Sequence, residues 1–333
     1  MNGVSVIIPI YNVEKYIKHC LQSVVTSMKD LSNIQIILVN DGSKDQSGEI
    51  AKEFAKEYSN FCYVTKENGG LSDARNYGLK YVKYNYIAFI DSDDFIAEDY
   101  FSEVLNALQT SPDMIVFDWM DVIENESKSI VKGIDFPNSL WTVQPSAWNK
   151  IYKAAFFDDV KFPKGKIYED VGTIYKLLYK VKDFIYINKP LYMYRKNREG
   201  SILTTISPKI NDIYEVLDET YSFYKDKDMI TEEIKDGLCY QYVKLLMWSN
   251  MYRQLKFYKF NFNGFFIKMK ETRRLIVDKF PNWKENHLLL ENSDYFINRL
   301  GERYIHSIDR LGKNIFSTMI TILYLIKKNI KRS

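Results

Sequence analysis

Two short acidic stretches offer the clearest candidates for chemistry. Asp91-Ser92-Asp93 directly follows the apolar run Tyr86 to Ile90, and Glu169-Asp170, preceded by Tyr168, opens a segment with Val171, Ile174, Leu177 and Leu178 at helical spacing. Carboxylates at i and i+2 leaving a strand can serve a hard cation such as Mg²⁺ or Mn²⁺ and the phosphates bound to it, because such ions take one or two carboxylates and fill their shells with phosphate and water. The same pair suits a solvated turn capping the helix near Ala97. The acidic pair at 169 and 170 can likewise cap its own helix. Alternatively it supplies a general base, worth roughly 10² to 10⁴-fold when it reaches the hydroxyl it deprotonates. Spacing alone leaves both choices open.

The elements that must position these residues are legible from hydrophobic period. Val4 to Ile10 reads as a buried strand, and Glu14 to Met28 sets Tyr16, Ile17, Cys20, Leu21, Val24 and Val25 on one helical stripe. Ile34 to Asn40 repeats the strand, Asp41 to Ser47 supplies a turn and a cap, and a second helix is expected from Gly48 to Tyr58. A strand at Phe61 to Thr65, a helix at Leu71 to Val82 and a strand at Tyr86 to Ile90 complete a βαβαβαβ alternation. Such alternation predicts an α/β fold with a mostly parallel sheet, helices on both faces, and ligands received at the C-terminal strand ends. Tyr11-Asn12, Asp41, Asn68-Gly69-Gly70 and Asp91 to Asp94 all follow strands, so they should line one crevice. Asp121 to Gln144 is polar and expected to be looped, and Glu169 starts a helix through Tyr179. Beyond Thr205 helices are expected at Glu215 to Tyr224, Gly237 to Arg253 and Tyr258 to Val277.

Composition narrows the function classes. The 333 residues are 46% hydrophobic and 27% charged, which fits a globular chain and excludes wholesale disorder or a polytopic membrane protein. With 46 basic against 43 acidic residues the formal charge is +3, so charge alone gives no reason to expect nucleic acid. Cys20, Cys62 and Cys239 are far apart and form no cluster with His19, His287 or His306, which argues against zinc. No basic lead or cleavable apolar region precedes Val4, so a reducing cytoplasm is the expected setting. The apolar run Ile315 to Ile326 is broken by Ser317, Thr318 and Thr321 and is shorter than the roughly 20 residues a bilayer span takes. Residues 313–333 hold Lys313, Lys327, Lys328, Lys331 and Arg332 and no acid, which suits either a helix lying on the inner face of an anionic membrane or a last helix packed on the body.

Taken together, Val4 to Tyr11, Asn12-Val13-Glu14, Val39 to Asp45, Asn68 to Gly78, Phe89 to Asp94 and Tyr168 to Val171 resemble, in order and spacing over roughly residues 3–205, the family 2 inverting glycosyltransferases. The resemblance implies a GT-A fold, a nucleotide-diphosphate sugar donor, Mn²⁺ or Mg²⁺, and transfer to a hydroxyl with inversion. It further implies a catalytic domain at 1–205, with a nucleotide-binding half at 1–100 and an acceptor and catalytic half at 101–205, followed by a helical region at 206–333.

Residue by residue, Pro9 and Tyr11 match positions flanking the base and Asp41 the aspartate on the uracil edge, which makes UDP-sugar the expected donor. Tyrosine offers a stacking face worth about 1 to 3 kcal/mol per base, and an ionised aspartate accepts from the uracil imide. Asn68, Gly70 and Arg75 match the next donor-binding block, with Arg75 pairing either Asp91 or a donor phosphate. Asp91 matches the carboxylate near the ribose, Asp93 the metal ligand, and Glu169-Asp170 the acidic pair whose second member is the base. Trp148, Asn149 and Lys150 resemble a segment near the donor sugar and acceptor cleft. Arg195 and Ser201 resemble the loop over the pyrophosphate, with Arg198 an alternative to Arg195. The family's acceptors are glycans, lipid-linked saccharides or glycoproteins of bacterial surfaces, and a homo-oligomer is compatible with it. Two other readings are a non-catalytic relative that keeps the fold as a binding or partner subunit, against which the intact Asp41, Asp91, Asp93 and Asp170 argue, and a phosphohydrolase, whose DxD usually lies nearer the N-terminus.

Overall fold

The structure is a computed structural model that describes residues 3–28, 31–123, 126–196, 207–259, 261–291 and 308–330. Strands β1 (Val4–Ile10), β2 (Ile34–Asn40), β3 (Phe61–Thr65) and β4 (Tyr86–Phe89) alternate with helices α1 (Ile17–Met28), α2 (Ser47–Glu57) and α3 (Leu71–Gly78). Every residue of β1 is buried, as a continuous apolar run inside a sheet covered on both faces requires. The four strands lie in the order β3-β2-β1-β4, all parallel, with Ile10 beside Asn40 and Asn40 beside Thr65. Their C-terminal ends therefore meet at one edge, and the polar clusters that follow them leave from it. Pro9 is tolerated in this central strand because the ladder to β4 reaches only Ile7, so no partner on that side needs its missing N–H.

The sheet continues β4-β8-β6-β9-β5 through β5 (Phe95–Ile96), β6 (Met114–Ile123), β8 (Lys150–Lys153) and β9 (Phe184–Arg195). Here the directions are mixed. β8 runs antiparallel to both β4 and β6, β9 parallel to β6, and β5 antiparallel to β9. Helices α4 (Tyr100–Ala107) and α5 (Glu169–Leu177) belong to this half.

The stretch from 121 to 144 corrects the expected loop. β6 runs to Ile123 and pairs antiparallel with β7 (Glu126–Val131), which among the described residues has no other strand partner. Lys128, Ser129 and Ile130 are exposed. An edge strand open to water needs no apolar alternation, so its polar sequence reads as loop.

Contacts divide the chain into two units, Met1–Pro137 with Val143–Ser201, and Asn138–Thr142 with Ile202–Ser333. The second is helical: α6 (Asp212–Asp226), α7 (Glu232–Tyr242), α8 (Asn250–Phe257), α9 (Phe262–Lys279), α10 (His287–Glu291) and α11 (Ile315–Ile330). A π-helical turn at Val243–Ser249 joins α7 to α8. Within this unit Trp141 lies against Gly237, where a Cβ would stand 2.0 Å from the indole, and Gln241 Nε2 donates to the Trp141 carbonyl at 2.6 Å. No described helix is long and apolar enough to cross a membrane.

Candidate active site

Four strand ends supply the first part of the site. Tyr11 leaves β1 with 46% of its surface exposed, so its ring is open for stacking. Asn12 follows in the left-handed region (φ 50°), and its Oδ1 accepts from the Lys44 N–H at 2.9 Å, clasping the β1 and β2 loops together. Asp41, after β2, is 2% exposed and organises the loop after β3. Its Oδ1 accepts from Lys66 Nζ at 2.6 Å and the Gly69 N–H at 3.0 Å, and its Oδ2 from Asn68 Nδ2 at 3.1 Å and the Gly70 N–H at 2.8 Å. Gly70 has φ 84°, a backbone that favours glycine, immediately before α3. Lys66 also pairs with Asp73 at 2.7 Å; burial works against its charge, but Asp41 and Asp73 outweigh that and raise its pKa.

Arg75 draws the distant acids together. Its side chain, 2% exposed, lies beside the Phe89 and Phe162 rings at 5.9 and 5.2 Å. Nη2 donates to Asp91 Oδ1 at 2.8 Å and Nη1 to Glu169 Oε1 at 2.9 Å. Burial opposes the guanidinium charge, yet the acids at 91, 169 and 170 prevail and raise its pKa. Of the two roles expected for Arg75, the structure shows the bridge to Asp91 and extends it to Glu169.

Glu169 and Asp170 sit at the start of α5, aimed by Tyr168 in the left-handed region (φ 67°). Asp170 Oδ1 accepts from the Val171 N–H at 2.9 Å. Burial pushes its carboxyl up to about 7, the Glu169 charge adds to the rise, and Arg75 opposes it. A half-buried carboxyl near 7 is matched to proton transfer at neutral pH.

The Asp91 to Asp94 turn is held from β9. Asp94, 1% exposed, accepts from the Tyr192 hydroxyl at 2.9 Å and the Arg195 N–H at 2.7 Å. Burial, with the charges of Asp93 and Asp91, raises its pKa well above the usual range. The Tyr192 hydroxyl also accepts from the Asp91 N–H at 3.1 Å. Arg195 Nε donates to the Asp93 carbonyl at 3.0 Å, with the guanidinium 5.3 Å from both the Tyr16 and Phe95 rings. Arg195 thus lies on the acidic turn; Ser201 and Arg198 lie outside the described residues. Tyr192 and Lys66 were not singled out from sequence, and Asp94 was placed in the crevice with the acidic cluster but given no role. Neither Tyr192 nor Lys66 carries a local signal that would have marked it.

Trp148 is stacked on Tyr192 and Tyr194, with centroids 4.3 and 5.5 Å away, and meets Trp119 edge-on. Asn149 and Lys150 are fully buried. Asn149 Nδ2 donates to the Phe117 carbonyl at 3.1 Å, while Lys150 Nζ donates to the Gln144 and Ser146 carbonyls at 2.5 and 2.9 Å and to Asn149 Oδ1 at 2.6 Å. Their polar ends fasten the loop that carries Trp148.

Among the described residues no three His, Cys, Asp or Glu side chains cluster as a metal cage. Asp91 and Asp93 offer oxygen donors leaving a strand, which fit a hard divalent ion that draws the rest of its shell from phosphate and water.

Comparison with known proteins identifies the family and the fold. Residues 5–176 match Glycosyl transferase family 2. The chain is 36% identical over 219 residues to glycosyltransferase GlyA of Streptococcus pneumoniae, covering 60% of this chain and 31% of GlyA. It is 33% identical over 209 residues to the minor teichoic acid biosynthesis protein GgaB of Bacillus subtilis, covering 59% of this chain and 23% of GgaB. The chain therefore spans a third or less of the length of these two relatives. Among solved structures, S. aureus TarS 1-349 in complex with UDP-GlcNAc superposes with a TM-score of 0.68 at 18% identity, covering 96% of this chain and 90% of that one, a likeness of the GT-A fold. The matched span takes in β1 to β4, the acidic turn and the start of α5, and on that span the chain belongs to glycosyl transferase family 2.

Proposed function

We propose that the chain is an inverting glycosyltransferase that moves a hexose or N-acetylhexosamine from a UDP-sugar to a hydroxyl of a glycan, lipid-linked or glycoprotein acceptor in the synthesis of bacterial surface polymers. The observation that carries this reading is the Arg75 bridge, which brings Asp91 of the DxD turn and Glu169 of the α5 start into one ion network. The UDP-GlcNAc complex of TarS supports the donor class, and the name of GgaB supports the surface-polymer setting.

Tyr11 stacks on the base, and Asp41, whose oxygens hold Lys66, Asn68 and the Gly69 and Gly70 N–H groups, accepts from the uracil imide by exchanging one of those donors for it. Pro9, Asn68 and Gly70 shape that end of the cleft, Asp91 bonds the ribose, and Arg195 lies toward the diphosphate. Asp93 would hold Mn²⁺ or Mg²⁺, which when bound offsets the charge developing on the leaving diphosphate. Asp170 takes the proton from the acceptor hydroxyl as that oxygen bonds the anomeric carbon and the bond from that carbon to the diphosphate oxygen breaks, releasing UDP. Trp148, on the loop fastened by Asn149 and Lys150, borders the sugar end.

A donor screen tests the reading. UDP-Glc, UDP-Gal, UDP-GlcNAc and UDP-GalNAc are incubated with the protein and Mn²⁺, with and without candidate acceptors, and UDP release is measured. Acceptor-dependent release from one donor supports the proposal, and none from any donor with any acceptor class rejects it.

A further inference from the structure

Over residues 315–324 helix α11 turns apolar side chains outward, whereas the apolar stripe of a helix packed on a body ordinarily faces inward. Its buried residues include Thr318 and Thr321 beside Ile322. Both threonine hydroxyls are satisfied locally: Thr318 Oγ1 accepts from the Gly312 N–H at 2.9 Å, and Thr321 Oγ1 donates to the Ser317 carbonyl at 2.9 Å. Among residues 315–324 the outward apolar side chains are Ile315, Phe316, Met319, Ile320 and Leu323, between 42 and 71% exposed. At 3.6 residues per turn these five occupy about 140° of arc, one continuous stripe rather than scattered apolar side chains.

The sequence of this segment carries charge of one sign, although Lys313 at its start pairs with Asp309 at 2.7 Å. Residues 313–333 contain Lys313, Lys327, Lys328, Lys331 and Arg332 and no acid. Four of these five basic residues follow Leu323 in sequence, at the C-terminal end of the apolar stripe. Basic residues bordering an exposed apolar stripe are the pattern of a helix lying in the plane of a membrane surface, with long side chains reaching up to headgroups.

We propose that α11 docks the protein on an anionic phospholipid bilayer, Phe316, Met319, Ile320 and Leu323 entering the interface and the lysines meeting the headgroups. A second copy of the chain is the other occupant an apolar stripe could take. It would bring an equal positive charge to the same contact, whereas an anionic bilayer supplies the opposite one. The inference is independent of which sugar the enzyme transfers.

The experiment uses the full chain in co-sedimentation with vesicles of phosphatidylcholine mixed with phosphatidylglycerol, and of phosphatidylcholine alone. Wild type is expected to partition onto the anionic vesicles, to bind neutral ones about ten-fold more weakly, and to be released by salt. The double variant Phe316→Ser, Leu323→Ser should lower anionic binding about ten-fold with an unchanged melting temperature, since both side chains are already in water. Wild type that stays in the supernatant, or a double variant that binds like wild type, overturns the proposal. So does sedimentation velocity showing a dimer that the double variant dissolves, because the stripe then covers a second copy.

Discussion

Arg75 and Glu169 meet at 2.9 Å although 94 positions separate them in sequence. The same guanidinium holds Asp91, so α3, the turn after β4 and α5 are joined by one cation.

Replacing Arg75 with methionine should therefore do more than weaken one bond. Asp91 and Glu169 would face each other without a counter-charge, and removing one partner of a buried ion pair costs about 3 to 5 kcal/mol. A loss near 3 is expected, because Asp91 keeps about a fifth of its side chain in water, where it is screened. Urea melts of Arg75→Met and Arg75→Lys measure it. A methionine variant as stable as wild type would show that the bridge contributes nothing to folding.

Asp170→Asn should lower transfer by about 10² or more while UDP affinity stays within about two-fold, because the base acts on the acceptor and not on the nucleotide. Calorimetry with UDP beside a turnover assay separates the two. Parallel loss of both would move the base elsewhere.

The pH profile follows from the same carboxyl. Burial and Glu169 raise Asp170 to about 7 against Arg75, with Asp91 adding to the rise, so the base form accumulates as pH passes about 7 and the rate should rise and then level. Stability runs the other way. The folded state holds the proton more tightly than the unfolded chain, so stability drains away as pH rises through about 7. Asp170→Asn removes the titration and should raise the melting temperature above pH 7 relative to wild type. A rate that is flat from pH 5 to 9 would exclude this base.

Asp41→Ala should uncouple the loop after β3. The exposed Gly69 and Gly70 N–H groups lose their acceptor to water while Lys66 keeps Asp73, so the cost is that of the hydrogen bonds lost, about 0.5 to 1.5 kcal/mol each. A fall in melting temperature together with lost UDP binding is expected; a loss confined to UDP binding would mean that the loop holds itself.

Asp93→Ala should abolish the part of UDP affinity that depends on added Mn²⁺. Titrations with metal and with chelator read this directly, and an unchanged difference between them would remove Asp93 as ligand.

How much of this could be read in advance depended on how far each partner lay along the chain. β1 to β4 were legible because apolar runs alternate with helical stripes, and a parallel sheet then forces Tyr11, Asp41, Asn68 and Asp91 to one edge. β7 was not, because an edge strand exposing Lys128 and Ser129 carries no apolar period. The hold of Tyr192 on Asp94 was invisible for another reason: it depends on β9 lying beside β5 and β6, a pairing set by the whole sheet and not by local pattern. The resemblance set Lys150 near the sugar and acceptor cleft, and nothing in its sequence neighbours announces that the carbonyls of Gln144 and Ser146 enclose its ammonium.

The positive φ at Tyr168 bears on what substitutions the chain can accept. A left-handed backbone at a residue with a Cβ costs about 1 to 2 kcal/mol, which asparagine and glycine tolerate best and valine or isoleucine worst. A saturation scan should therefore find a narrow notch at 168, permissive toward small amide or bare-backbone replacements and closed to branched ones, whatever acceptor the library is selected to use.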